Sequence, residues 1–373
     1  MFFHLLLTTE CDLRCKYCYV KSCEDIDSDF GEFKVDYNVP VKTSYKIDSL
    51  KKFIEKDPKP VLIFYGGEPM LCIDKIKQIM DNVKANQYII QTNGLNLNKL
   101  DSEYVNRLTT IFVSIDGTEK LTDYYRGKGV YKKVIKNINT VRKNGFNGEI
   151  IARMTLMEET DIYENVKWLL NNPDYSFGSI HWQLDGGFWK KDFQRRNFAE
   201  WTKNNYIPQL RKLVKFWVDT METEGKVLRL YPLLGVMQSL LTGEESPLRC
   251  GSGWVNYSIQ TDGHINPCPA MSGMKDYYRG HIRNAHPLYL KKMHLGHPCT
   301  SCKILRECGG RCLYANITKR WSSEAYAVVC NTVKNHIELL KSSLKRVKNL
   351  INEKRIVLAD FDYFKYNSCE IIP

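Results

Sequence analysis

The chain has 373 residues, 43% hydrophobic and 26% charged, an ordinary globular composition with length enough for two domains. No apolar run approaches the roughly 18 residues a membrane span needs. The apolar start Met1-Phe2-Phe3-His4 has no basic lead-in and no small-residue cleavage site, so a cytoplasmic protein with no membrane partner is expected. The formal charge of +12 is weak evidence for a nucleic-acid partner, because thirteen cysteines that hold metal as thiolates subtract from it.

Phe2 to Thr8 reads as a strand. Val61-Leu62-Ile63-Phe64-Tyr65 is a continuous apolar run closed by Gly66-Gly67, and Ile73, Ile76, Met80 and Val83 then fall at helical spacing. Tyr88 to Thr92, Ile111 to Ile115, Glu149 to Leu156 and Gly178 to Leu184 read as further strands. Between them, Val134, Ile138 and Val141 mark a helix that stops at Gly145. Six strands, each but the last followed by a helix, predict a parallel sheet. The expected fold is α/β, a partial (β/α)6 TIM-like barrel over residues 1–190, with its chemistry at the C-terminal ends of the strands.

Residues 191–249 turn helical. Ile207, Leu210, Val214, Trp217 and Met221 form one stripe that ends at Gly225, and the segment is expected to be a bridge of packing helices. Residues 250–335 hold seven cysteines, many glycines and prolines, and little periodicity. Such a segment does not build a large apolar core, so metal is expected to hold it. Residues 336–373 complete a helix with Val333, Ile337, Leu340, Leu344, Val347 and Ile351 on one face, followed by a tail.

Cys11, Cys15 and Cys18 form C-x-x-x-C-x-x-C directly after the first strand. Three thiolates on one tight loop can hold three irons of a four-iron cube and leave the fourth iron open to chelate a small molecule. Zinc would be short of a ligand here, as no histidine is close. Tyr17 precedes the last of these cysteines and is placed to shield such a cluster.

The motif resembles the signature of the radical S-adenosylmethionine (SAM) superfamily, and the resemblance continues down the chain. Gly66-Gly67-Glu68-Pro69, at the end of the second strand, is similar to the stretch that binds the SAM amino group. Thr92 and Asn93, before Gly94, match another SAM-facing element, and Ser114 and Asp116, before Gly117, match the ribose and methionine contact region. Arg126 is by resemblance a candidate partner of the SAM carboxylate, with Arg153 as competitor. The resemblance implies an oxidoreductase of anaerobic chemistry. A low-potential donor of flavodoxin or ferredoxin type reduces the cluster, and SAM then yields methionine and a 5′-deoxyadenosyl radical.

The later cysteines read Cys250, Gly263-x4-Cys268, Cys299-x2-Cys302-x5-Cys308-x3-Cys312 and Cys330. This array resembles the SPASM domain of radical SAM enzymes that mature peptides and proteins. The resemblance implies two auxiliary [4Fe-4S] clusters, three in all. Cys250, Cys268 and Cys312 go to the first, and Cys299, Cys302, Cys308 and Cys330 to the second. The first is then one ligand short. An open iron, a histidine (His264, His294 or His297) or a distant cysteine are the alternatives. Cys23, Cys72 and Cys369 are left over, and burial is the default for Cys72.

The chain starts almost on its first strand, so a leader-binding module is expected, if at all, as a separate protein. Sulfatase-maturating relatives carry a basic aspartate after the cysteine matching Cys268; here Pro269 stands there and cannot take a proton. Asp185 and His181, near the end of the sixth strand, are candidates to orient substrate or accept a proton at the expected substrate mouth. The expected activity is modification of a peptide or protein substrate by oxidation, thioether or carbon–carbon cross-linking. A small-molecule dehydrogenase or epimerase is the alternative, and RNA modification is suggested only by basicity.

Overall fold

A computed structural model of the chain describes residues 1–18, 33–186, 192–245, 247–319, 321–367 and 372–373. Cys23 and Cys369 lie outside these residues. In chain order, strand β1 (Phe2–Leu6) precedes α1 (Ile47–Ile54), β2 (Val61–Tyr65), α2 (Ile73–Asn82), β3 (Gln87–Thr92), the single turn α3 (Ser102–Val105) and β4 (Leu108–Ser114). There follow α4 (Glu119–Arg126), α5 (Val130–Lys143), β5 (Glu149–Leu156), α6 (Ile162–Leu170) and β6 (Ser179–Leu184). Next come α7 (Asp192–Arg195), α8 (Phe198–Trp201), α9 (Ile207–Glu224), β7 (Arg229–Leu230) and α10 (Tyr231–Thr242). The last elements are β8 (Asn256–Ile259), β9 (Ile265–Asn266), α11 (Leu305–Cys308), α12 (Leu313–Thr318) and α13 (Ser323–Asn352). All six expected strands are present, within a mostly parallel α/β arrangement.

The chain divides into two compact units. The first comprises Met1–Ile115, Glu119–Ile151 and Gly251–His294; the second comprises Asp116–Thr118, Ala152–Cys250 and Leu295–Pro373. The division expected at 249 lies one residue from the break between Cys250 and Gly251, whereas no break falls at 190 or 335. Strand β8 pairs in parallel with β1, Phe2 beside Asn256 through Leu5 beside Ile259, which ties residues 251–294 to the first strands. Helix α13 is continuous across residue 335.

In the first unit the strand order is β4-β3-β2-β1-β8-β9. The first five of these are mutually parallel, and only β9 turns back against β8. A parallel sheet is covered on both faces, which is why β2 reads as an unbroken apolar run; Val61 to Phe64 are all buried. Helix α1 closes over it with Leu50, Phe53 and Ile54, and Phe53 meets Phe3 edge-on at 5.3 Å. Helix α5 buries the predicted Val134, Ile138 and Val141.

In the second unit the order is β7-β6-β5, with Ser179 beside Arg229 and Ile180 beside Leu230. Helix α9 buries Leu210, Val214, Trp217 and Met221 as its stripe predicted, and ends at Gly225 in the left-handed region with φ +62°. Helix α13 lies against α9 and α10. It begins ten residues before the first of the stripe positions read from sequence, at Ser323, because the Ser322 hydroxyl caps the Ala325 N–H at 3.1 Å. Leu344 and Ile351, expected on the buried stripe, are only half-buried, while Leu350 is buried. Among the described residues no helix is long and apolar enough to cross a membrane.

Trp217 anchors the second unit. Its side chain is fully buried, its indole N–H donates to Leu228 O at 2.8 Å, and its ring meets Phe361 edge-on at 6.1 Å. Trp217→Ala is expected to destabilise the protein by about 3–5 kcal/mol, read as a lower urea midpoint by far-UV circular dichroism. An unchanged midpoint would remove Trp217 from this role.

Candidate functional site

The strands of a parallel sheet send their C-terminal ends to one edge, and loops gather there. In the first unit the chain leaving β1 runs directly over Gly66-Gly67, which follow β2. Gly67 N donates to Thr8 O and Glu68 N to Glu10 O, both at 2.8 Å. A Cβ on Gly67 would stand 2.2 Å from Glu10 O and 2.5 Å from Thr9 O. No side chain fits between two backbones this close, so glycine is obligatory. The approach delivers Cys11 to the edge where β2 and β3 end.

Glu68 is almost completely buried, at 1% exposure. Its Oε1 accepts from Met70 N at 2.9 Å and from the Thr92 hydroxyl at 2.7 Å, and its Oε2 accepts from Asn93 N at 2.7 Å. The two predicted motifs, at the ends of β2 and β3, are therefore joined through one carboxylate. Pro69 opens the short turn that follows. Asn93 reaches onward: its Nδ2 donates to Asp12 Oδ1 at 2.7 Å and lies 4.0 Å from Cys11 Sγ. Asn96 Nδ2 donates to the other Asp12 oxygen at 2.7 Å. Asp12 thus clamps the cysteine loop to the β3 loop. Asn137, buried on α5, holds that loop from behind by donating to Gly94 O and Leu95 O at 2.8 and 3.0 Å. Asp12, Asn96 and Asn137 were not singled out from sequence. Asn137 has a sequence signal, since it adjoins Ile138 on an otherwise apolar helix face.

Within the cysteine loop, Cys18 N donates to Cys15 O at 3.1 Å and Leu13 N to Cys11 Sγ at 3.4 Å. Burial pushes the Cys11 thiol up to about 11, with Glu68, Asp12 and Cys15 adding repulsion. Sulfurs crowded by anions are held as thiolates when a bound cation offsets that repulsion, and iron fits this donor set. Tyr17 packs on Tyr125 at 5.4 Å, and the Arg126 guanidinium lies 5.3 Å from the Tyr17 ring. Two predicted SAM-site residues, Tyr17 and Arg126, therefore stand together; Ser114 ends β4.

In the second unit, the fully buried Asp116 accepts from Thr155 N at 3.0 Å, and Arg153 donates to Gln183 Oε1 at 3.3 Å. His181 has no exposed surface, and neither ring nitrogen has a hydrogen-bond partner. Burial, and then the Arg153 charge, hold its imidazole neutral, well below the usual range. The expectation that His181 faces an open mouth is corrected here, because its neighbours enclose it. Asp185 Oδ2 accepts from Arg196 Nη1 at 2.9 Å, and Arg196 also forks onto Glu158 at 2.8 and 2.9 Å. Asp185 is therefore one end of an ion-pair network.

Four of the later cysteines are electrostatic neighbours in the second unit. Burial pushes Cys330 up to about 11, and Cys308, Cys299 and Cys302 all add to it. Arg311 N donates to Cys308 Sγ at 3.4 Å, and the Tyr326 hydroxyl lies 3.1 Å from Cys299 Sγ. Cys312 caps α12, its Sγ accepting from Ala315 N at 3.5 Å. Cys250 follows the buried Arg249, which donates to Glu307 O and Gly235 O. Cys268 belongs to the first unit, at the head of the short turn Pro269–Met271.

Of the histidines weighed as an extra ligand, His264 is held by Asp262, Nδ1 to Oδ2 at 2.8 Å. Cys72 contacts Leu7 O at 3.9 Å. None of the described cysteines is in a disulfide. Among the described residues no three such groups converge on one point as a single metal ion demands. A four-iron cube takes each thiolate on a different iron, so its ligands surround a volume instead.

Burial pushes the Glu68 carboxyl from 4.5 up to about 7, against the donors that lower it. Between those values the folded protein binds a proton that the unfolded chain has lost, so this group's contribution to stability falls as pH rises through the window. At about 1.4 kcal/mol per unit the full swing is about 3 kcal/mol. Glu68→Gln lacks it. The variant's unfolding free energy relative to wild type, measured in urea without SAM, is expected to gain about 2–3 kcal/mol between about pH 5 and about pH 7.5. A difference that does not vary with pH would refute the assignment.

Residues 5–169 match the family model described as the Radical SAM superfamily. The chain is 23% identical to the radical SAM cyclopropyl synthase TigE of Paramaledivibacter caminithermalis, over 97% of this chain and 76% of that protein. It is 30% identical to the 7-carboxy-7-deazaguanine synthase of Methanocaldococcus jannaschii over 42% of this chain and 64% of that one. Among solved structures, native anSMEcpe with bound AdoMet and Kp18Cys peptide aligns at TM-score 0.68 and 17% identity, covering 94% of this chain and 99% of the other. Streptococcus suis SuiB bound to precursor peptide SuiA aligns at TM-score 0.52 and 16% identity, covering 85% and 72%. At these identities the structures attest the fold, and the Cys11 loop, Gly66-Gly67 and Glu68 all lie inside the matched family segment. Residues 5–169 thus carry a Radical SAM domain.

Proposed function

We propose that this chain makes a 5′-deoxyadenosyl radical from SAM and uses it to modify a peptide or protein, by oxidation or by a thioether or carbon–carbon cross-link. The observation that carries the reading is the Asp12–Asn93–Glu68 clamp, which joins the three-cysteine loop to the turns after β2 and β3. Cys11, Cys15 and Cys18 would hold a four-iron cluster, which would supply the electron for reductive cleavage of SAM. The chain's own residues bind and orient. The Gly66-Gly67-Glu68-Pro69 stretch takes the SAM amino group, Thr92 and Asn93 face SAM, and Ser114 and Asp116 take its ribose and methionine. Arg126 or Arg153 takes its carboxylate, and Tyr17 shields the cluster. Cys299, Cys302, Cys308 and Cys330 hold one auxiliary [4Fe-4S] cluster, and Cys250, Cys268 and Cys312 another.

A peptide is preferred to a small molecule because the structural neighbours covering 94% and 85% of this chain include anSMEcpe with the Kp18Cys peptide and SuiB with precursor peptide SuiA. The relative spanning 97% of the chain is named a cyclopropyl synthase, which favours carbon–carbon bond formation among the outcomes. Formylglycine formation is not proposed, since Pro269 offers no base. Asp185, held by Arg196, is assigned to orienting substrate. A flavodoxin- or ferredoxin-type donor supplies the electron, and the enzyme works in the cytoplasm.

The test is anaerobic incubation of reconstituted protein, SAM and dithionite with cysteine-containing peptides, read by mass spectrometry. 5′-Deoxyadenosine and a peptide lighter by an even number of hydrogens are expected. In Cys15→Ala, 5′-deoxyadenosine is expected to fall to background while iron bound by the C-terminal cysteines persists. Wild-type protein that cleaves no SAM under strong reductant would end the proposal.

A further inference from the structure

The second unit contains a hydrogen-bond relay that ends on a cysteine sulfur. Asn316 is fully buried. Its Oδ1 accepts from Gly296 N at 2.6 Å, and its Nδ2 donates to Gly296 O at 3.1 Å. This reciprocal pairing with one backbone residue settles which end of the amide is nitrogen. The same Nδ2 donates to the Tyr326 hydroxyl oxygen at 3.3 Å. An amide nitrogen has no lone pair to offer, so the hydroxyl proton is left to point elsewhere. Its other neighbour is Cys299 Sγ, at 3.1 Å. An iron-bound thiolate carries no proton, so Tyr326 is the donor.

The relay links three chain segments that carry cysteines. Gly296 stands three residues before Cys299, Asn316 lies on α12 behind Cys312, and Tyr326 lies on α13 one turn before Cys330. Residues four apart share a helix face, so Tyr326 and Cys330 address the same centre. Trp321, itself buried, meets the Tyr326 ring edge-on at 5.7 Å and restricts its rotation. Hydrogen bonds to cluster sulfurs stabilise the more negative, reduced form and so raise the reduction potential.

We propose that Tyr326 is a positioning residue that sets the reduction potential of the cluster held by Cys299, Cys302, Cys308 and Cys330. Its hydroxyl, aimed by Asn316, donates to Cys299 Sγ and favours one-electron reduction of that cluster. The inference rests on the reading above that these four cysteines hold a cluster. Its consequence is an auxiliary centre poised to take up an electron.

The test is a redox titration of the reconstituted full-length protein, followed by electron paramagnetic resonance. In Tyr326→Phe the reduced-to-oxidised ratio of one auxiliary cluster at fixed potential is expected to fall about tenfold, equivalent to about 59 mV for one electron. The other two clusters should not move, and SAM cleavage under dithionite should persist. Replacing Tyr326 by 3-fluorotyrosine, a stronger donor of nearly the same size, should shift the same cluster upward. A structural role predicts no such reversal of sign. Unchanged midpoints in Tyr326→Phe overturn the proposal. If that variant does not retain its iron, the fluorotyrosine protein decides alone, with no upward shift counting as refutation. Cys302→Ala separates the two levels of inference: if it loses neither iron nor a cluster signal, the cluster assignment itself is wrong.

Discussion

The site depends on how closely two stretches of backbone approach. The chain leaving β1 lies on Gly66-Gly67 with carbonyls where a side chain would have to be. Two backbone hydrogen bonds lock the contact. This is a constraint of volume, and no gain in side-chain affinity substitutes for it. Because β1, β2 and β3 are parallel neighbours, the contact sits at the sheet edge where all three strands end. The cysteine loop, the Glu68 turn and the Asn93 turn become one surface for that reason.

Negative charge accumulates on this surface to a degree that a protein core does not ordinarily accept. Cys11 has Glu68, Asp12 and Cys15 as electrostatic neighbours, and Glu68 has Asp12. Burial and repulsion together drive Cys11 and Glu68 toward their protonated forms. Positive charge reverses that drive, whether from iron on the sulfurs or from the ammonium and sulfonium of SAM. The +12 of the sequence therefore misstates the local balance, because thiolate ligands count as neutral in the sum.

The later cysteines follow a different physical plan. No sheet gathers Cys299, Cys302, Cys308 and Cys330. A short helix, a left-handed turn at Gly309 and Gly310, and the start of a 30-residue helix do so. The long helix is anchored by its stripe on α9 and α10, so Cys330 and Tyr326 inherit a rigid base. Asn316 then ties the loop before Cys299 to this base. The polar relay supplies the order that apolar packing provides in the first unit.

The spacing of Cys11, Cys15 and Cys18, the six strand patterns and the seven-cysteine array are local in the chain, so they were legible from the residues alone. Periodicity likewise placed the buried faces of α5 and α9, since burial on one side leaves a stripe. Other features needed the folded structure, because they join residues far apart in the sequence. Strand β8 beside β1 is one, as four residues among glycines carry too little pattern to name a partner. The start of α13 is another, since the cysteine-rich run masked its cap. Asp12 with Asn93, Asn316 with Tyr326, and Asp185 with Arg196 are polar pairs whose meaning lies in a distance. His181 looked available from its place near a strand end, and only its enclosure shows that it is sealed. Sequence determines which groups a chain can offer; tertiary packing decides which of them meet and which are sheltered from water.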